Sequence, residues 1–262
     1  MTDPGQTLLA LDFDGTLAHI VEDPASAYIH PDSLAALRRL GPVLAAIVII
    51  TGRPVDEARR LGRFEEGEGL EDLVVCGQYG AERWDAASGD VRRPTRPDAV
   101  HDLAERLPSW LAEHDAERLR IEDKGLAIAL HTRGIAPGLL DTLSPQLAAL
   151  AAEFDLHMEP GRQVLEFRAH RTDKGETLRR AVEAIQPRSL VFAGDDLGDL
   201  PAFREAIALR EDGLDVTLVC SASAEQDALV ELSDVVLDGP DAVAAWLTEL
   251  ADRFAPGRPA AS

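Results

Sequence analysis

The stretch Leu11-Asp12-Phe13-Asp14-Gly15-Thr16-Leu17 sets two carboxylates two residues apart, directly after the apolar run Leu8-Leu9-Ala10-Leu11. A short apolar run with Gly15 behind it reads as a buried strand, and residues two apart on a strand share a side. Asp12 and Asp14 are therefore expected to converge where the chain leaves the sheet. Adjacent carboxylates repel unless a cation or a proton sits between them. At the carboxyl end of a strand, where open α/β sheets bind ligands, Mg²⁺ is the natural solution. One carboxylate can then act as nucleophile and the other as general acid and base.

Three further constellations carry compatible chemistry. Ile49-Ile50-Thr51-Gly52-Arg53-Pro54 places a hydroxyl at the end of an apolar run and just before a helix. Helix N-termini attract phosphate, and Thr51 can donate to a phosphoryl oxygen; the structural alternative is a commonplace Thr-Gly turn. Lys174 falls in the first turn of a helix, where the dipole disfavours a cation. It reads as a partner for phosphate and carboxylates, against the alternative of a solvated surface lysine. Phe192-Ala193-Gly194-Asp195-Asp196-Leu197-Gly198-Asp199 clusters three carboxylates after another apolar run. Helix capping accounts for one of them, and hard oxygen ligands of this kind suit Mg²⁺.

The elements that must position these residues alternate along the chain. Strands are expected at 7–13, 45–50, 73–76, 190–193, 217–220 and 235–237, and helices at 32–40, 55–61, 174–185 and 200–208. The helix from Lys174 has Asp173 as its cap, with Glu176 three residues on. Apolar runs alternating with helices imply a doubly wound parallel sheet, an α/β core covered on both faces. The middle differs. Residues 92–97 read as a Pro- and Arg-rich linker. A helix at 98–113 follows, then a strand pair at 119–122 and 126–131, a helix at 138–152, and a pair at 156–159 and 163–167 turning at Pro160-Gly161. Val164, Glu166 and Arg168 alternating with Leu165 and Phe167 suggest a sheet with one wet face. The expected organisation is a core of 1–96 plus 170–255, an inserted α+β cap at 97–169, and a frayed tail at 256–262.

The chain has 262 residues, 45% of them hydrophobic and 28% charged, within the range of a soluble globular protein. A formal charge of −21 argues against nucleic acid and anionic membrane as partners, since both are bound through basic patches. No basic segment precedes the first apolar run, so no signal peptide is expected. The longest apolar run, 43–50, falls well short of the roughly 20 residues that span a bilayer. Cys76 and Cys220 each end an apolar run and are expected as buried free thiols in a reducing cytoplasm.

The order DxDGTL, strand-end Thr, lone Lys and GDDxxxD resembles the haloacid dehalogenase superfamily of aspartyl phosphatases. The resemblance implies a Rossmann-like core with a cap of C2B type. It also implies an aspartyl-phosphate on Asp12, with Asp14 protonating the leaving oxygen and then activating water. Thr51 and Lys174 would hold the phosphoryl group. Mg²⁺ would be ligated by Asp12, the Asp14 backbone carbonyl and Asp195, with Asp199 supporting Lys174 or a metal-bound water. Substrate choice falls to the cap, where the sequence is similar to trehalose-6-phosphate phosphatases. The strings Gly77-Gln78-Tyr79-Gly80-Ala81-Glu82, Glu122-Asp123-Lys124-Gly125 with His131 and Arg133, and Glu159-Pro160-Gly161-Arg162 with Glu166 and Arg168 carry that similarity. Gly52, Arg53, Glu122, Lys124, His131, Arg133, Glu159 and Glu166 are thereby implied to bind a sugar phosphate, with the chain acting as a monomer. Tyr79 stands where the family often has His, and Gly198 and Leu200 depart from its usual Thr and Glu. Another sugar phosphate, such as sucrose phosphate, and a non-catalytic Mg²⁺-binding role remain the alternatives.

The covalent step has a direct check. Asp12→Asn should lower phosphate monoester hydrolysis by several orders of magnitude with the fold intact, because an amide is a poor nucleophile. Steady-state rates alongside circular dichroism measure both.

Overall fold

In the computed structural model, placement is described for residues 3–132, 138–161, 163–169, 172–222 and 229–257. The chain divides into two compact units, Met1–Arg93 with Thr172–Ser262, and Pro94–Arg171.

The first unit is built on an eight-stranded sheet. Its strands are β1 (Thr7–Leu11), β2 (Ala46–Ile50), β3 (Val74–Gly77), β4 (Glu82–Asp85), β5 (Val91–Arg92), β10 (Ser189–Gly194), β11 (Asp215–Ala222) and β12 (Val235–Asp238), in the order β12-β11-β10-β1-β2-β3-β4-β5. Pairing is parallel from β12 through β3, and antiparallel for β3–β4 and β4–β5. The parallel strands read as unbroken apolar runs because both faces are covered. In β1, Leu9 and Leu11 face a core shared with α1 (Pro31–Leu40), α2 (Val55–Gly62) and α7 (Gly239–Phe254). Leu8 and Ala10 face a second core shared with α5 (Lys174–Ile185) and α6 (Leu200–Glu211). The chain runs from β1 outward to β2 on one side and returns to β10 on the other. The order therefore reverses at β1, and strand ends beside such a reversal are where open α/β sheets bind ligands.

The second unit packs α3 (Asp98–Glu113) and α4 (Leu139–Glu153) on a four-stranded antiparallel sheet. Its strands are β6 (Arg120–Asp123), β7 (Ala127–His131), β8 (His157–Gly161) and β9 (Val164–Arg168), in the order β6-β7-β9-β8. Ile121, Ile128, Leu130, Met158, Leu165 and Phe167 face the helices in one apolar cluster.

Several local expectations change. β1 stops at Leu11, so the two-residue alternation does not extend to Asp12 and Asp14. Arg92, read as linker, belongs to β5. Pro160 and Gly161, read as a turn, end strand β8 instead. On the face expected to be wet, Glu166 and Arg168 are withdrawn from solvent, only 4% and 7% exposed, while Glu159 on the same face stays exposed. Ion pairing makes that burial tolerable: Lys124 binds Glu166, and Arg168 Nη1 lies 3.8 Å from Glu159 Oε2.

Because the second unit has its own core, Phe167→Ala should cost about 3–5 kcal/mol. Amide exchange should accelerate in β7 and β9 while protection in β1 and β10 persists.

Candidate active site

β1 delivers Asp12, β2 delivers Thr51, β10 delivers Asp195, and the first turn of α5 delivers Lys174. Asp173 caps α5 by accepting from the Glu176 N–H at 2.8 Å, which sets the helix start and aims Lys174 inward. The Lys174 ammonium donates to Asp12 Oδ1 and, at 2.7 Å, to Asp199 Oδ1. Asp199 Oδ2 accepts from the backbone N–H groups of Asp195 (3.0 Å) and Asp196 (3.3 Å). Asp199 is thus fully engaged as a bracket for the lysine and for the turn after β10.

Carboxylate oxygens of Asp12, Asp195 and Asp199 lie within 4.8 Å of one another. Lys174 supplies one positive charge to this buried group, which leaves negative charge in excess. Burial, with Asp199 beside it, raises the Asp12 carboxyl well above its ordinary range despite Lys174. Burial with Asp12 and Asp199 pushes Asp195 up to about 10. Burial alone would lower Lys174, but Asp12, Asp199 and Asp196 outweigh it and keep the ammonium charged.

A divalent cation fits this site. The Asp195 carboxylate accepts no hydrogen bond among the described residues. It packs so closely on Gly15 that a Cβ there would lie 2.0 Å from Asp195 Oδ2. Oxygen donors with excess negative charge match the preferences of Mg²⁺, and a bound cation would restore the ionised forms of Asp12 and Asp195.

Thr51 is buried, and its Oγ1 accepts from the Arg53 N–H at 3.1 Å, so its own proton remains to be donated. The Asp14 carboxylate stands apart from the acidic group. Arg53 grips it through Nε–Oδ2 and Nη2–Oδ1, both 2.6 Å, while Arg53 Nη1 holds Glu57 Oε1 at 2.7 Å. Gly52 lies between Thr51 and Arg53 in the same loop.

In the second unit, Glu122, Ala129, Glu166 and Glu159 form one cross-strand row. Directly opposed residues share a face, so this row lies opposite the apolar cluster. His131 and Arg168 share that face two residues away. His131 Nε2 and Glu122 Oε2 are 2.6 Å apart, and this hydrogen bond holds the Glu122 carboxyl down to about 2. Arg133 lies outside the described residues. Three charged groups beside these residues lie outside the sequence motifs: Glu57, one helical turn from Arg53, and Arg120 and His157, each two residues along its strand from Glu122 or Glu159. Strand alternation was the signal available for the last two.

This fold is that of the haloacid dehalogenase-like hydrolases. A Bacteroides thetaiotaomicron member matches with TM-score 0.64 and 16% identity over 93% of this chain and 99% of that one. The C-terminal domain of Candida albicans trehalose-6-phosphate phosphatase matches with TM-score 0.74 and 22% identity over 94% and 92%.

The sequence narrows the class further. The trehalose-phosphatase family model matches residues 10–234. A probable trehalose-phosphate phosphatase of Sinorhizobium fredii is 33% identical over 78% of this chain and 75% of its own length. The trehalose-phosphate phosphatase of Mycobacterium tuberculosis is 28% identical over 76% of this chain. The chain belongs to the trehalose-phosphatase family. It spans 51% of that mycobacterial protein's length and 15% of a longer mycobacterial relative's.

The acidic group predicts a pH-dependent stability. With the folded-state value of Asp195 raised from 3.8 to about 10, its protonated form contributes stability that is complete below about pH 4. That contribution is lost as pH rises toward about 10. Metal-free protein should therefore melt at falling temperature between about pH 5 and 9. Asp195→Asn, or saturating Mg²⁺, should flatten the dependence in scanning fluorimetry.

Proposed function

We propose that the chain is a Mg²⁺-dependent phosphatase hydrolysing trehalose 6-phosphate to trehalose and phosphate. The observation that carries the reading is the buried Asp12–Lys174–Asp199 bracket beside the Asp195 carboxylate, which has no hydrogen-bond partner among the described residues. Lys174 holds Asp12 Oδ1, which leaves the other oxygen to attack phosphorus. A bond forms from Asp12 to phosphorus as the bond to the sugar oxygen breaks, and Asp14 gives that oxygen its proton. Asp14 then takes a proton from water, whose oxygen attacks the aspartyl-phosphate, releasing phosphate and restoring Asp12. Thr51 Oγ1 and the Gly52 N–H receive phosphoryl oxygens, and Arg53 orients Asp14 between steps. Asp12, Asp195 and the Asp14 carbonyl are the groups suited to hold Mg²⁺, with Asp199 fixing Lys174. When bound, Mg²⁺ offsets the combined charge of phosphoryl group and carboxylates.

The core unit supplies only phosphoryl chemistry, so sugar selection belongs to the polar row of the second unit. Glu122, Lys124, His131, Glu159 and Glu166 offer donors and acceptors in the density that sugar hydroxyls require, and Arg133 is assigned with them from sequence. A site built to pair hydroxyls rejects a sugar that leaves its polar groups unpaired. The buried Cys76 and Cys220 thiols support a reducing, cytoplasmic setting. Monomeric action without nucleic acid or membrane is part of the same reading; no described helix is long and apolar enough to cross a membrane.

A panel of sugar phosphates tests the assignment. Trehalose 6-phosphate should exceed glucose 6-phosphate and sucrose 6-phosphate in kcat/KM by about tenfold or more. Lys124→Ala and Glu122→Ala should erode that preference and leave 4-nitrophenyl phosphate hydrolysis largely intact. Preference for another sugar phosphate, or equal losses on aryl and sugar esters, overturns it. Exhaustive chelation should abolish turnover reversibly.

A further inference from the structure

Tyr79 occupies a backbone conformation that side-chain-bearing residues avoid. β3 ends at Gly77, and Gln78 and Tyr79 then both take left-handed φ angles, 46° and 60°. Glycine occupies this region without cost and tyrosine does not. Three hydrogen bonds hold the strained turn. Gln78 N–H donates to the Arg53 carbonyl at 2.8 Å, Tyr79 N–H to the Thr51 carbonyl at 2.9 Å, and Thr177 Oγ1 to the Tyr79 carbonyl at 2.7 Å. The turn therefore grips the loop on both sides of Gly52, the residue that follows the buried Thr51 hydroxyl.

The ring lies on that same residue. A Cβ at Gly52 would fall 2.9 Å from both Cζ and Oη of Tyr79. Glycine at 52 is what admits the phenol tip to the loop, and the tip that arrives there carries a hydroxyl. A tyrosine needed only to fill space could sit on relaxed backbone. Strain of this kind persists where surrounding structure over-determines it, and it collects at ligand sites.

We infer that Tyr79 is a further phosphoryl-site residue: its hydroxyl, beside the Thr51–Gly52 segment, donates a hydrogen bond to a non-bridging oxygen of a phosphate monoester. The inference rests on the phosphatase reading. It adds a donor that the four motifs do not contain.

Tyr79→Phe removes one oxygen and keeps the ring on Gly52. Orthophosphate affinity in the presence of Mg²⁺, measured by calorimetric titration, should weaken about tenfold or more, as for loss of a hydrogen bond to a charged group. The kcat/KM values for trehalose 6-phosphate and 4-nitrophenyl phosphate should fall by one common factor, with the melting temperature unchanged. Tyr79→His, which keeps a donor, should recover part of the affinity. A Tyr79→Phe protein that binds phosphate as tightly as the parent overturns the inference. So does a loss confined to the sugar ester, which would place the hydroxyl on the sugar. If the parent binds phosphate, hydrolyses neither ester, and loses affinity on Tyr79→Phe, the phosphatase reading fails while the role of Tyr79 stands.

Discussion

A single buried ammonium holds the chemistry of this protein in place. Lys174 joins Asp12, from the segment after β1, to Asp199, from the turn after β10, and thereby pins two neighbouring strand ends to one point. Without it, Asp12, Asp195 and Asp199 would be carboxylates in a low-dielectric interior with no cationic side chain bonded to them among the described residues, a severe penalty. With it, the group remains short of positive charge by an amount that a divalent cation supplies. The lysine thus makes the acidic cluster tolerable in the folded chain and leaves it attractive to metal. Such a compromise is typical of sites where function opposes stability.

The second unit solves a different problem with the same bonding vocabulary. Alternation along four short strands sends leucine, isoleucine and phenylalanine toward two helices and sends charged groups to the opposite face. Small residues, Ala127 and Ala129, occupy β7 between the charged positions of its neighbours. Lys124 with Glu166, and His131 with Glu122, are therefore oriented in advance. Side chains already held by partners lose less entropy when a ligand arrives.

Much of this was legible in the sequence, for identifiable reasons. Strands β1, β2 and β10 declared themselves because a doubly covered parallel strand must be apolar throughout, and α5 because Asp173 and Glu176 mark a helix start. The carboxylates at 12, 195 and 199 stand out because helix capping explains only part of so much charge clustered at the ends of apolar runs. What the sequence withheld was direction. The spacing of Asp12 and Asp14 predicts convergence, yet the strand ends one residue before Asp12 and the Asp14 carboxylate turns to Arg53. Alternation reports which face Arg168 and Glu166 occupy, and not whether charges on that face pair and withdraw from solvent. The left-handed turn at Tyr79 gave no local signal, because Gln and Tyr are not turn formers and tertiary hydrogen bonds impose the geometry.

The position of the inserted unit has a consequence for how the chain comes into being. Asp12 and Lys174 are 162 residues apart in sequence, and β1 lies beside β10, with the whole of the second unit between them in the chain. On the ribosome, β1 emerges first and waits with one edge unpaired until Ser189–Gly194 has been made. The intervening unit, with local antiparallel pairings and its own core, can finish folding in that interval. During the wait, the apolar edge of β1 is the segment most exposed to wrong partners. Synthesis speed across the insertion, rather than the stability of either half, then sets how long that hazard lasts.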